Sequence, residues 1–303
     1  MKRLAAALVI MAIAAAVIFW VLTMPQRLDA TVTANADAGD AARGERMFNA
    51  GGCASCHAAK GAKGEDRLKL GGGLALETPF GTFHAPNISP DRASGIGSWS
   101  GVDFMNAMLK GVSPAGDHYY PAFPYTSYAR MKPEDVADLW AYMKTLPVVE
   151  QANLDHQLPL PFRMRRGLGL WKMLFLSDQP VVTIADGDDQ LALGRYLVEG
   201  PGHCGECHTP RNLIGGPDKS RWLSGGPAPE GNGKIPNLTA GAGGIGSWSA
   251  KDIAYYLESG FTPEFDAVGG TMVEVQENMA RLPASDRDAI AAYVKALPAV
   301  DSQ

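Results

Sequence analysis

The stretch GHCGECHTPRN, residues 202–212, and a second one, GGCASCHAAKG, residues 51–61, decide how the chain reads. Each holds Cys-x-x-Cys-His: Cys53, Cys56 and His57 in one, Cys204, Cys207 and His208 in the other, at a constant offset of 151. The same offset returns downstream, where Tyr142-x-Lys144-x-Leu146-Pro147 matches Tyr293-x-Lys295-x-Leu297-Pro298. Between these landmarks Pro86-Asn87-Ile88-Ser89 answers Pro236-Asn237-Leu238-Thr239, and GIGSWS at 95–100 is repeated letter for letter at 244–249. An ordered series of matches at spacings of 149 to 151 is a duplication, and repeats of this kind set the domain plan before any motif is interpreted. The plan is two copies of one module, residues 41–147 and 187–303, joined by a linker at 148–186.

Each copy reads as mostly helical. Residues 41–49 and 189–199 have helical spacing and lead into the cysteine motifs, while Trp99 and Trp248 precede amphipathic stretches at 101–110 and 250–259, each followed by glycine. Pro133-Glu134-Asp135 opens a last helix in the first copy, with proline and acidic residues where a helix start favours them. Ser285-Asp286 opens its twin. Elsewhere the chain is rich in glycine and proline (35 and 21 residues) and shows little strand-like alternation.

With 46% hydrophobic and 19% charged residues the chain of 303 is globular rather than disordered. A net charge of -5 without a basic run gives no reason to expect a nucleic-acid partner. The N-terminus stands apart. After Met1-Lys2-Arg3 come nineteen uncharged residues, Leu4 to Leu22, which as a helix would extend roughly 28 Å, about the thickness of a bilayer's hydrocarbon core. The run exceeds the apolar region of a cleaved signal peptide, and the nearest Ala-x-Ala, Ala34 to Ala36, lies well past its end. Residues 1–24 are therefore expected to be an uncleaved transmembrane anchor and 25–40 a linker. Lys2 and Arg3 place the N-terminus in the cytoplasm and the modules on the far side. Within 148–186, Arg163, Arg165 and Arg166 adjoin the apolar stretch 168–176. It reads as a helix packed between the modules, with contact to a membrane surface as the alternative.

All four cysteines lie in the two motifs, so none remains for a structural disulfide. Cys-x-x-Cys-His is the attachment signature of c-type haem. Two thiols three positions apart on a helical turn reach the two vinyl groups of one haem, and the adjacent imidazole faces the iron. A zinc site would require the two cysteine pairs to come together, although each sits in its own complete repeat. A redox dithiol has no need of the histidine. Two covalently bound haem c groups follow, held through Cys53, Cys56, Cys204 and Cys207, with His57 and His208 as iron ligands.

Beyond these motifs the sequence resembles the membrane-anchored multihaem cytochromes c of bacteria, the group that includes cytochrome subunits of periplasmic alcohol, gluconate and sugar dehydrogenases. The stretches that carry the resemblance are FGTFHAPNISPDRASGIGSWS (80–100), HYYPAFPYTSYARM (118–131) and GGTMVEV (269–275). Those subunits usually carry three haems, against two here. The resemblance implies a transmembrane helix followed by two tandem class I cytochrome c domains, placed in the periplasm on a single pass through the bacterial inner membrane. It implies electron transfer from a periplasmic dehydrogenase to a cytochrome, a quinone site or a terminal oxidase.

For the second haem the resemblance points to Met272 as the sixth ligand, with Met279 in reserve. For the first, many relatives have methionine where Phe123 stands, and Met131 is the nearest replacement, with His118 as the alternative. Met105, Met108 and Met143 have core spacing, and His84, His156 and His203 read as surface or packing residues. Trp99 and Trp248 are candidates to lie at a haem edge, and Asn87 and Asn237 to brace the distal loops. A dihaem enzyme such as a peroxidase is the competing function, since the Phe123 position leaves an open iron conceivable.

Overall fold

A computed structural model describes residues 1–184, 187–228 and 233–302. The expected end of the linker at 186 and Gln303 fall outside the described residues. Helix α1 (Lys2–Leu22) buries none of its residues. The first module contains α2 (Ala41–Ala50), α3 (Cys53–His57), a two-stranded antiparallel hairpin β1 (Ala75–Thr78) and β2 (Gly81–His84), then α4 (Gly101–Lys110), α5 (Tyr125–Tyr128) and α6 (Pro133–Met143). The connection carries α7 (Leu160–Arg163) and α8 (Leu168–Phe175). The second module repeats the order with α9 (Asp189–Glu199), α10 (Gly205–His208), a short pairing of β3 (Gly226–Pro227) with β4 (Lys234–Ile235), α11 (Ala250–Ser259), α12 (Met272–Met279) and α13 (Ala284–Ala296).

In each module the first and last helices cross at a glycine. A Cβ on Gly44 would fall 2.0 Å from the Asp138 carbonyl oxygen, and one on Gly194 would fall 1.9 Å from that of Ala289. Only glycine lets these backbones meet, so the crossing angle is written at single positions. The helices that follow GIGSWS also start alike. Ser100 and Asp103, and again Ser249 and Asp252, form reciprocal capping boxes, each satisfying two donors a helix start leaves open. Gly111 and Gly260 end these helices in the left-handed conformation.

Two cores result. One gathers Met47, Phe48, Met105, Met108, Leu139, Trp140 and Met143 around the first module, so the methionines expected in the core lie there. The other gathers Leu197, Trp222, Leu257, Met279, Ile290 and Tyr293.

The expected linker at 25–40 is packed along the first module rather than free. Leu28 N–H donates to Asn106 Oδ1 (2.8 Å), and Asp37 Oδ1 accepts from Trp140 Nε1 (2.9 Å) and Gly101 N–H (3.1 Å). Helix α8 bridges the modules. Lys172 Nζ donates to the Lys110 and Gly111 carbonyls (2.7 and 2.6 Å), closing the end of α4, while Trp171 Nε1 donates to Ile214 O (2.9 Å) in the second module. Burial pushes Lys172 down to about 7.

Candidate haem sites

The short helices α3 and α10 hold the motif side chains within one turn. Gly52 and His203 precede them in the left-handed conformation, with φ of 57° and 40°. Cys53 and Cys204 are half-buried and lean on the cores of their respective modules. Burial pushes both thiols up to about 12, and raises Cys56 as well. Protonated thiols are poor metal ligands, since a metal takes the thiolate. Among the described residues, no three His, Cys, Asp or Glu side chains gather where they could hold an ion directly.

The histidines carry the clearest signal. His57 Nδ1 lies 2.8 Å from the carbonyl of Pro86, and His208 Nδ1 lies 2.8 Å from that of Pro236. A carbonyl only accepts, so Nδ1 bears the proton in both rings and the lone pair is left on Nε2. Burial lowers the pKa of both imidazoles, against the opposing effect of the carbonyl bond, and favours the neutral form. A neutral ring, fixed in one tautomer by a second partner, is the state in which histidine binds iron.

The carbonyls are themselves held in place. Asn87 Nδ2 donates to the Val149 and Gln151 carbonyls (2.7 and 3.0 Å), and its Oδ1 accepts from Ser89 N–H (2.9 Å). Asn237 donates to Val300 O (2.7 Å) and accepts from Thr239 N–H (2.8 Å). Both asparagines brace loops, but those behind the motif histidines rather than the distal loops expected. Their effect reaches the histidine through the neighbouring proline, a link that the dipeptide alone does not disclose.

Met131 is 4% exposed and belongs to the apolar cluster against which Cys53 packs. Met272 is half-buried at the head of α12, against the cluster that Cys204 also touches. Met279, at 4% exposure, lies in that same cluster. In each module the first thiol of the motif and a thioether touch one apolar core, and the neutral imidazole of the same motif keeps its lone pair on Nε2. That donor set fits a covalently held haem. His118 is placed elsewhere: its Nε2 meets Thr23 O at 2.9 Å, beside the end of α1. Trp99 and Trp248 pack against the two cores.

The two motifs face each other across the module boundary, and the contacts are reciprocal. Asn278 Nδ2, before the last helix of the second module, donates to Ser55 Oγ in the first motif (2.8 Å). Position for position, Ser127 of the first module donates to Glu206 in the second motif (2.8 Å), joined by Thr126 (2.7 Å). Arg46 grips Asp286 through two bonds (2.6 and 2.9 Å), and Tyr196 bonds Asp135 at the equivalent place. His203, expected to be a packing residue, is one, lying between the motifs with Nε2 3.2 Å from Gly51 O and its ring against Tyr128. Sequence reading found none of these bonds, because each pairs residues that become neighbours only when two modules dock.

Comparison with known proteins agrees with this construction. The family model described as Cytochrome c matches residues 41–147. A diheme cytochrome c-type protein of Cereibacter sphaeroides is 53% identical over 302 residues, covering 99% of both chains. The gluconate 2-dehydrogenase cytochrome c subunit of Pantoea cypripedii is 40% identical over 86% of this chain, and the fructose dehydrogenase cytochrome subunit of Gluconobacter japonicus 38% over 85%. This chain spans 60% and 52% of the length of those two relatives. Two duplicated modules, each with a fixed-tautomer histidine behind a cysteine pair, and near-complete alignment with a dihaem relative lead to one assignment: the chain belongs to the dihaem c-type cytochromes.

Proposed function

We propose that this cytochrome is an electron carrier anchored by α1 in the bacterial inner membrane, with both haem modules in the periplasm. It takes electrons from a periplasmic dehydrogenase and passes them towards the respiratory chain, to a cytochrome, a quinone site or a terminal oxidase. Two covalently bound haem c groups supply one-electron chemistry. Cys53 and Cys56, and Cys204 and Cys207, form the thioethers; His57 with Met131, and His208 with Met272, are the proposed axial pairs. The observation that carries the reading is the reciprocal docking of the two motifs, which suits passage of an electron from one haem to the other. The dehydrogenase subunits among the relatives support a dehydrogenase as donor.

The test uses the haem-loaded protein from membranes. Mass measurement is expected to give two haems per chain with residues 1–22 retained, and alkaline washing is expected to leave the protein in the membrane fraction. Spectra of the oxidised protein are expected to show two low-spin haems, each with the weak sulfur-to-iron charge-transfer band, and no reaction with peroxide. A high-spin haem that consumes peroxide would replace the carrier by the dihaem peroxidase. A soluble chain lacking residues 1–22 would remove the anchor.

A further inference from the structure

The connection between the modules contains more than a bridge. Helix α8 turns Gly169 and Lys172 inward, and Trp171 and Phe175 towards the second module. Its remaining face shows Leu170, Met173 and Leu174 to solvent, the last two at 61% and 68% exposure. Just before it, Leu160 (78%), Phe162 and Met164 are exposed as well. The loop that follows the second cysteine motif adds Leu213, fully exposed at 99%, and Ile214. That loop is braced rather than loose: Asn212 Oδ1 accepts from Ile214 and Gly216 N–H (both 3.0 Å), and Arg211 Nη1 donates to Gly215 O (2.8 Å). A rigid loop that holds leucine in water, beside a helix face of the same character, is a contact surface.

Two observations identify what covers it. The first is continuity with α1. Thr23, directly after α1, is fully buried, and Gly169 packs so closely on it that a Cβ would come within 2.6 Å of Thr23 Cα. Arg166 donates to Trp20 O (2.7 Å) and Thr23 Oγ1 (3.0 Å), and stacks 4.1 Å from the Trp20 ring centre. The start of α8 is thus fixed to the outer end of α1. The second is charge. Between Asp155 and Asp178 no acidic residue occurs, while Arg163, Arg165 and Arg166 do. Exposed apolar side chains interleaved with cations, without acids, match the depth at which acyl chains meet anionic headgroups.

From this juxtaposition we infer that residues 160–175 and the loop tip Leu213-Ile214 form a second, interfacial contact with the outer leaflet of the membrane that α1 crosses, so that the module pair lies down on the bilayer. The inference rests on the reading of α1 as an anchor. It makes the second haem's attachment loop the part of that module nearest the lipid.

The full-length, haem-loaded protein in vesicles of phosphatidylcholine and phosphatidylglycerol tests it, with a carbene precursor on one acyl chain and labelled peptides mapped by mass. Label is expected on 4–22, on 160–175 and at 213–214, and not on α13. Leu174→Glu combined with Leu213→Glu is expected to lose the label at the last two segments and keep it on α1. Label confined to α1 in the unaltered protein overturns the inference and leaves the anchor standing. It is also what a dehydrogenase-covered face would give. No label on α1 overturns the anchor, and the inference with it.

Discussion

The two modules share their proximal halves and differ in their distal ones. Around the cysteine motifs the repeat is nearly exact in function: Pro86 and Pro236 fix the histidines, Asn87 and Asn237 hold the prolines' neighbourhood, and Gly44 and Gly194 set the helix crossing. The segments that face those motifs have drifted apart. The first module has a single short turn, α5, leading to the buried Met131. The second has α12, with Met272 at its head and an exposed loop before it in which Phe265 is 83% accessible. A proximal histidine must be held in one tautomer, which leaves few solutions. A thioether needs only to arrive, and any segment that reaches the pocket can bring it.

Removing the proximal anchors gives the largest effect and asks whether the modules are separable. Cys53→Ala with Cys56→Ala is expected to yield a chain lighter by one haem, with the second module's spectrum intact. Loss of both haems would mean that the modules fold only as a pair.

The distal comparison comes next. Met131→Ala deletes a buried core side chain as well as the proposed ligand and is expected to cost about 2–5 kcal/mol of stability. Half-buried Met272 has less packing to lose. Each substitution is expected to abolish the sulfur–iron band of its own haem and lower that haem's potential, because the thioether favours ferrous iron. Equal destabilisation would break the contrast between the segments, and an unchanged spectrum in Met131→Ala would remove that residue from the iron.

Where the modules agree, equal responses are expected. Gly44→Ala and Gly194→Ala each force a methyl group into a backbone carbonyl, at about 1–3 kcal/mol apiece, measured by denaturant unfolding. A much larger loss at one of them would show that only that crossing is rigid.

The same contrast explains what the sequence disclosed. Helices at 41–50, 101–110, 189–199 and 250–259 were legible because their apolar period, caps and terminating glycines lie within a few residues of one another. The proposed attachment residues stand out because thioether chemistry fixes their spacing. The hairpin of β1 and β2 was missed, since four residues per strand give too short an alternation to register. The roles of Ser55, Glu206, Asn278 and Asp286 were out of reach for a different reason. Each depends on a partner 79 to 240 positions away, and no local pattern announces a docking partner.

The smallest effect tests the reciprocal contacts themselves. Ser127 belongs to the first module, yet its hydroxyl donates to Glu206, two residues before the histidine of the second. Ser127→Ala removes one donor from a carboxylate that Thr126 and Arg211 still bind, so the stability change is expected to be small, about 1 kcal/mol. Its signature lies in where the change is felt. With less of its charge compensated, Glu206 should favour the oxidised second haem and lower that haem's potential, leaving the first unchanged. Asn278→Ala is the mirror experiment: it sits in the second module and is expected to shift the first haem through Ser55. Redox titration that resolves the two haems reads both. Shifts confined to the module that carries the substitution would show that the interface holds the modules together without linking their haems.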